Sequence, residues 1–405
     1  MMTGLYSGRL FRAGLASLVL MAGTVIPALA QQKILLWVPD RTNNTLGEYE
    51  ITPSSGALSA FPAKPTSFSE FEVTISPNLK YLYVGENGGI NIFVVDPTGS
   101  VVTAPTTLTG NVQGMAFDAT GSYLYVSISS VGTERIESYA VNQATGALTL
   151  NATVALSPKL PRGMATDGHG HLYVSIPNDG SNVLGYVSAY TMNANGTLTA
   201  IGNFSTGGAS GLGPNRLVTN PAGTLLYSSD TFDHAISGFT IAGNGSLSLV
   251  GGPIPVGGGS SQPLGLAINP AGSVLLVTDN AANSANLYSY AIGAGGVLTA
   301  AAGSPFNSGG NSPAGLTIEP TGANAFVSNT GSGSVTRFAL NGTTGVLSGA
   351  TTTVTGASPQ FLLARFAPAP AVSTVPAVST WMLALLGMLL AASSILVYRR
   401  AYNRS

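Results

Sequence analysis

Leu266-Ala-Ile-Asn-Pro270-Ala-Gly272, Ser273-Val-Leu-Leu-Val-Thr278, Asn286-Leu-Tyr-Ser-Tyr-Ala-Ile292 and Gly296-Val-Leu-Thr299 follow one another along the chain. Each is a short β-type run closed by Gly, Asn or Pro turn residues, and none carries a helical period. The second run has counterparts throughout the sequence, with Leu36, Tyr83, Tyr125, Tyr173, Tyr227, Leu276 and Phe326 at equivalent positions, 42 to 54 residues apart. A Gly-x-apolar step repeats in parallel and places Leu58, Val101, Leu148, Leu198, Leu247, Leu298 and Leu347 at a second set of equivalent sites. Four short strands recurring about every 48 residues is the pattern of a β-propeller blade. The expectation is an all-β chain, a seven-bladed β-propeller over residues 31–366. The first unit starts at Lys33 without an innermost strand, and Pro359-Gln-Phe-Leu-Leu-Ala-Arg-Phe366 supplies one after the last unit. The last blade is therefore expected to be closed by strands from both termini, which removes an exposed edge.

Composition narrows the function. Of 405 residues, 15 are Lys or Arg and 16 Asp or Glu, about 8% charged against a usual quarter. No basic cluster is present to neutralise phosphates, so no nucleic-acid partner is expected. The absence of cysteine excludes a disulfide scaffold, a zinc ribbon and a cysteine nucleophile.

The two ends read as membrane-addressing segments. Residues 1–30 have Arg9 and Arg12, an apolar stretch from Ala13 to Ile26, and Ala28-Leu29-Ala30 before Gln31. That is the layout of a cleavable signal peptide. At the other end, residues 367–380 are a Pro/Ala-rich spacer and sorting motif, and residues 381–405 a transmembrane helix with a basic tail. The 17 residues from Trp381 to Val397 carry no charge and precede Arg399, Arg400 and Arg404, enough to span a hydrocarbon core with the C-terminus inside. All five basic residues of these ends lack acidic neighbours there, so the body holds 10 basic residues against 16 acidic ones. It is an acidic domain between two basic-flanked segments.

Two resemblances are carried by specific residues. Val375-Pro376, Ser379 and Trp381, followed by the apolar helix and Arg-Arg, resemble the bacterial IPTL-type C-terminal sorting tails, with Val375 in place of Ile. That resemblance implies export in a Gram-negative bacterium and handling by an exosortase-like processing enzyme. The body, through Pro-x-Gly at Pro221, Pro270 and Pro320, its Tyr-Val repeats and Thr145-Gly-Ala-Leu-Thr149, resembles the lactonase-type propellers. This family includes a bacterial 6-phosphogluconolactonase and the fungal muconate cycloisomerase; the YVTN-type surface repeats are similar too.

The lactonase family carries Gly-x-Gly-Pro-Arg-His where the chain enters some innermost strands. Here Gly211-Leu-Gly-Pro-Asn-Arg216 stands in that place, with Asn215 for Arg and Arg216 for His. The equivalent pairs are Phe71-Glu72, Gln113-Gly114, Arg162-Gly163, Leu264-Gly265, Ala314-Gly315 and Gln360-Phe361. The expected ligand-binding residues at the channel mouth are Gln113, Arg162, Asn215, Arg216 and Gln360, with Glu72 the one carboxylate in register. Guanidiniums among amides suit a small anionic or sugar-derived ligand; the competing reading is that these side chains only solvate a wide, Gly-lined channel. Lactone opening needs a base, and only Glu72 offers one.

The remaining polar clusters read as structure. His169-Gly170-His171 reads as a surface turn, and Asp230, Asp233 and His234 as an exposed loop, so neither a metal nor another cofactor is expected. The leading reading is an exported, envelope- or surface-attached binding or structural module. The alternative is a divergent lactonase acting on an anionic lactone.

Overall fold

A computed structural model describes residues 32–368, apart from 67–69, 103–105, 131, 157–158, 178–184 and 209–212. The signal peptide, the sorting motif Val375, Pro376, Ser379 and Trp381, and the transmembrane segment 381–405 lie outside the described residues. Among the described residues no helix is long and apolar enough to cross a membrane.

The described chain is all-β, with one short 3-10 turn at Ala294–Gly296. Its strands form six hydrogen-bonded antiparallel sheets. Four of these contain one repeat unit each. In the clearest case Pro313–Ile318, Asn324–Asn329, Ser334–Leu340 and Leu347–Val354 pair in chain order. The sheet from Glu70 to Ala155 has seven strands because two units fuse. Tyr81–Val94 and Thr106–Phe117 are long and pair with each other through Asn87↔Asn111 and Ile90↔Thr106. Gly88 and Gly110 adopt φ of 104° and 115° at this join, which other residues rarely do.

The first sheet closes the domain. Ile34–Asp40 pairs on one side with Thr45–Ile51 and on the other with Leu363–Phe366, in the register Ile34↔Phe366 to Trp37↔Leu363. The closure is extended by Gln360 N donating to Pro39 O at 2.8 Å and Ala367 N to Lys33 O at 2.8 Å. Asp40 accepts a further hydrogen bond from Ala357 N at 2.7 Å.

Both sequence markers have a physical meaning. Leu36, Tyr83, Tyr125, Tyr173, Tyr227, Leu276 and Phe326 are each at most 1% exposed, at the centre of second strands sandwiched between neighbouring sheets. The second marker opens the outer strand in every copy, from Leu58–Ala60 to Leu347–Val354. Two residues before it, Gly56, Gly99, Gly146, Gly196, Gly245, Gly296 and Gly345 all have positive φ, the hairpin geometry glycine serves best. The two markers also touch. Tyr83 Oη donates to Gly146 O at 2.8 Å, Tyr173 Oη to Gly245 O at 3.2 Å and Tyr227 Oη to Gly296 O at 2.7 Å. A tyrosine of one repeat thus ties down the hairpin of the next.

Candidate ligand site at the channel mouth

The innermost strands start at the residues expected to form a mouth. Register shifts fall between Glu70 and Glu72, Val112 and Gly114, Pro263 and Leu266, and Pro313 and Leu316. Such bulges bend a strand at its end and re-aim its side chains. At the same ends, residues from distant repeats come together.

Arg216 is the centre of that meeting. It is buried, and its Nη1 lies 2.7 Å from Glu72 Oε2 and donates to Gln113 O at 2.6 Å. Its guanidinium carbon stands 3.9 Å from the centroid of the Phe361 ring, a cation–π stack. Nε of Arg216 is buried without a partner among the described residues. Burial lowers the Arg216 pKa while Glu72 raises it; burial pushes Glu72 above the usual carboxylate range while Arg216 opposes that shift. Each is the other's counter-ion in a buried site.

Arg162 is placed differently. Its Nη1 donates to Gln113 Oε1 at 3.2 Å, its only side-chain hydrogen bond among the described residues. No carboxylate among them lies within ion-pair distance of it. Burial and the nearby Arg216 lower its pKa from the ordinary arginine value, a shift an arginine absorbs without losing its charge. Gln360 is also buried, with Nε2 held by Ser358 O at 3.1 Å and Ser358 Oγ at 3.0 Å.

Two cavities of about 290 Å³ each adjoin these groups. The mouth cavity is lined by Arg162, Asn215, Arg216 and Gln360, and also by Arg41 and Asn280. The inner cavity is walled by innermost strands, with Glu72 and Arg365 among its lining residues. Arg216 and Phe361 line both. Glu72 therefore reaches the inner cavity, while Gln113 acts behind Arg162. Arg41, Asn280 and Thr330 of the mouth lining had a signal in the sequence: each follows the Asp or Asn that ends a second strand, at Asp40, Asp279 and Asn329.

Two readings of polar clusters are corrected. His171 is buried, not part of a surface turn, because its Nδ1 lies 2.6 Å from Asp167 Oδ2. Asp230 is fully buried, not on an exposed loop: it accepts from the hydroxyls of Ser228, at 2.7 Å, and Ser237. Burial raises its pKa to about 7. Among the described residues no three His, Asp or Glu groups are placed to hold a metal ion.

No protein-family model matches the chain, and no curated protein sequence matches it. Solved structures do. The periplasmic gluconolactonase of Pseudomonas aeruginosa is similar with a TM-score of 0.71 and 17% identity, over 84% of this chain and 99% of that one. A protein from Lactobacillus plantarum is similar with a TM-score of 0.71 and 19% identity, over 82% and 99%. A 6-phosphogluconolactonase candidate from Bacteroides fragilis gives a TM-score of 0.71 and 16% identity, over 84% and 99%. At these identities the likeness is one of fold: the described domain is a lactonase-like β-propeller.

Proposed function

We propose that this chain is an exported, seven-bladed β-propeller whose channel mouth binds a small anionic or sugar-derived ligand, acting as a binding or structural module. The observation that carries the reading is Arg162 in the mouth cavity, which lines a wall with Asn215, Asn280 and Gln360 and, among the described residues, has no carboxylate within ion-pair distance. A guanidinium without a carboxylate partner, flanked by amides, suits an oxyanion. The blade count counts the fused seven-stranded sheet as two units, since it holds both Tyr83 and Tyr125. Export rests on the signal-peptide and sorting-tail resemblances, with an exosortase-like enzyme as processing partner and the C-terminal helix as an anchor, at least transient. The location would be the periplasm, outer envelope or cell surface of a Gram-negative bacterium.

Calorimetry with D-gluconate and inorganic phosphate tests the binding. The expected outcome is saturable binding of one of them, weakened about tenfold or more by Arg162→Ala, the loss of one charge-assisted contact. No binding of either anion would refute it.

A second reading, a divergent lactonase opening an anionic lactone, is favoured by two observations. Glu72 has a pKa raised by burial beside a cavity, as a general base requires, and the similar folds include a gluconolactonase. Against it, Glu72 is tied to Arg216, and no histidine lines either cavity among the described residues. Lactone turnover by the purified chain that disappears in Glu72→Gln would establish this second reading.

A further inference from the structure

The residue following each mouth position occupies one structural slot, repeated around the channel: Glu72, Gly114, Gly163, Arg216, Gly265, Gly315 and Phe361. Four slots hold glycine, and for a reason. A Cβ on Gly114 would stand within 3.0 Å of Arg162 O, one on Gly163 equally close to Asn215 O, one on Gly265 to Ala314 O and one on Gly315 to Gln360 O. Each glycine leaves room for the mouth carbonyl of the following repeat. The three slots without glycine hold Glu72, Arg216 and Phe361, and these three side chains meet: Arg216 pairs with Glu72 and stacks on Phe361.

A second repeated device points to the same place. Two residues after the buried repeat position, a hydroxyl latches the following repeat's mouth carbonyl. Ser127 Oγ donates to Arg162 O at 2.6 Å, and Ser175 Oγ to Asn215 O, Ser229 Oγ to Leu264 O and Thr278 Oγ1 to Ala314 O at 2.8 Å each. The equivalent Ser328 Oγ instead accepts from Gly315 N of its own repeat at 2.7 Å, and the equivalent residues Val38 and Gly85 have no hydroxyl. The mouth segments that follow them, Phe71-Glu72 and Gln113-Gly114, are the two that Arg216 holds, through the Glu72 carboxylate and the Gln113 carbonyl.

We infer that Glu72, Arg216 and Phe361 form a septum across the channel, which floors the mouth cavity and positions Arg162 through Gln113, so that Arg162 is the cation that meets the anionic ligand. The septum explains why Arg216 and Phe361 line both cavities. It also gives Arg216 its role: a positioning residue, with its backbone-directed donor on Gln113 O and the Gln113 amide oxygen in turn on Arg162. The ligand part of this inference rests on the anion-binding reading proposed above; the septum itself does not.

Two double-mutant cycles on the full chain test it, one with a ligand and one without. In calorimetry with D-gluconate or phosphate, Arg162→Ala and Arg216→Ala are each expected to weaken binding about tenfold, and Arg216→Ala to add less than about twofold in the Arg162→Ala background. Losses that multiply would mean that Arg216 contacts the ligand independently and would overturn the positioning role. In thermal unfolding, Glu72→Gln and Arg216→Met are expected to be coupled, the double variant losing less than the summed losses of the singles. Additive losses would overturn the septum. If the wild-type chain binds neither anion, the anion-binding reading falls and the positioning role falls with it, while the unfolding cycle still decides the septum.

Discussion

The belt of second strands and the rim of the channel are laid down by the same repeat, yet they use it in opposite ways. In the belt every copy does one job: a large apolar or tyrosine side chain is buried, and where a tyrosine stands its hydroxyl reaches the neighbouring hairpin in three of four cases. At the rim the copies diverge. Four glycines accept a neighbour's carbonyl, while a glutamate, an arginine and a phenylalanine reach into the channel. Sameness between repeats marks what assembles the ring. Departure between repeats marks where the channel gains a charged pair and an aromatic ring.

The largest expected effect lies in the belt. Tyr83 is fully buried, stacks edge-on against Phe117 with ring centroids 5.3 Å apart, and ties the next repeat. Tyr83→Ala is expected to cost roughly 3–5 kcal/mol in urea unfolding, the usual range for emptying an aromatic core site. A loss below about 1 kcal/mol would break the distinction between belt and rim.

Next comes the pH dependence of Asp230. Its folded pKa, about 7, lies above that of an unfolded aspartate. The folded state therefore holds the proton more tightly, and this group's contribution to stability is fully present below the unfolded pKa and lost as pH rises through the folded one. Wild-type stability should fall by a few kcal/mol between about pH 4 and pH 8 from this group alone. Asp230→Asn should remove that part of the slope, and unfolding curves at both pH values would reveal an unchanged slope if the assignment were wrong.

The smallest effect separates two tyrosines. Tyr227→Phe gives up a buried 2.7 Å hydrogen bond to Gly296 O and should cost about 1 kcal/mol. Tyr125 Oη is buried with no partner among the described residues, so Tyr125→Phe should be neutral or slightly stabilising. Equal losses in the two variants would mean that the hydroxyl ties add nothing to the belt.

The belt was legible in the sequence because strand burial has a short period, and Tyr83, Tyr125, Tyr173 and Tyr227 announce it within a few residues each. The rim was legible only as positions. Glu72 and Arg216 could be placed in equivalent slots, but they stand 144 residues apart, and their ion pair exists only once the ring has brought the slots face to face. Fusion of two units into one sheet was hidden for a similar reason: the pairing of Tyr81–Val94 with Thr106–Phe117 depends on how two glycine-containing strands bend. Asp230 and His171 were misread because polarity alone does not distinguish water from an internal partner. For His171 the signal was present in Asp167, four residues earlier.

The join between the two ends of the domain also sets an order of events. Ile34 pairs with Ile51 on one side but on the other only with Phe366, so one of the first strands made stays half-paired until nearly the whole domain has emerged. Contacts so far apart along the chain are slow to form. Leu363–Phe366 is thus the last piece in, and until it arrives one edge of Ile34–Asp40 stays open as a template for mispairing.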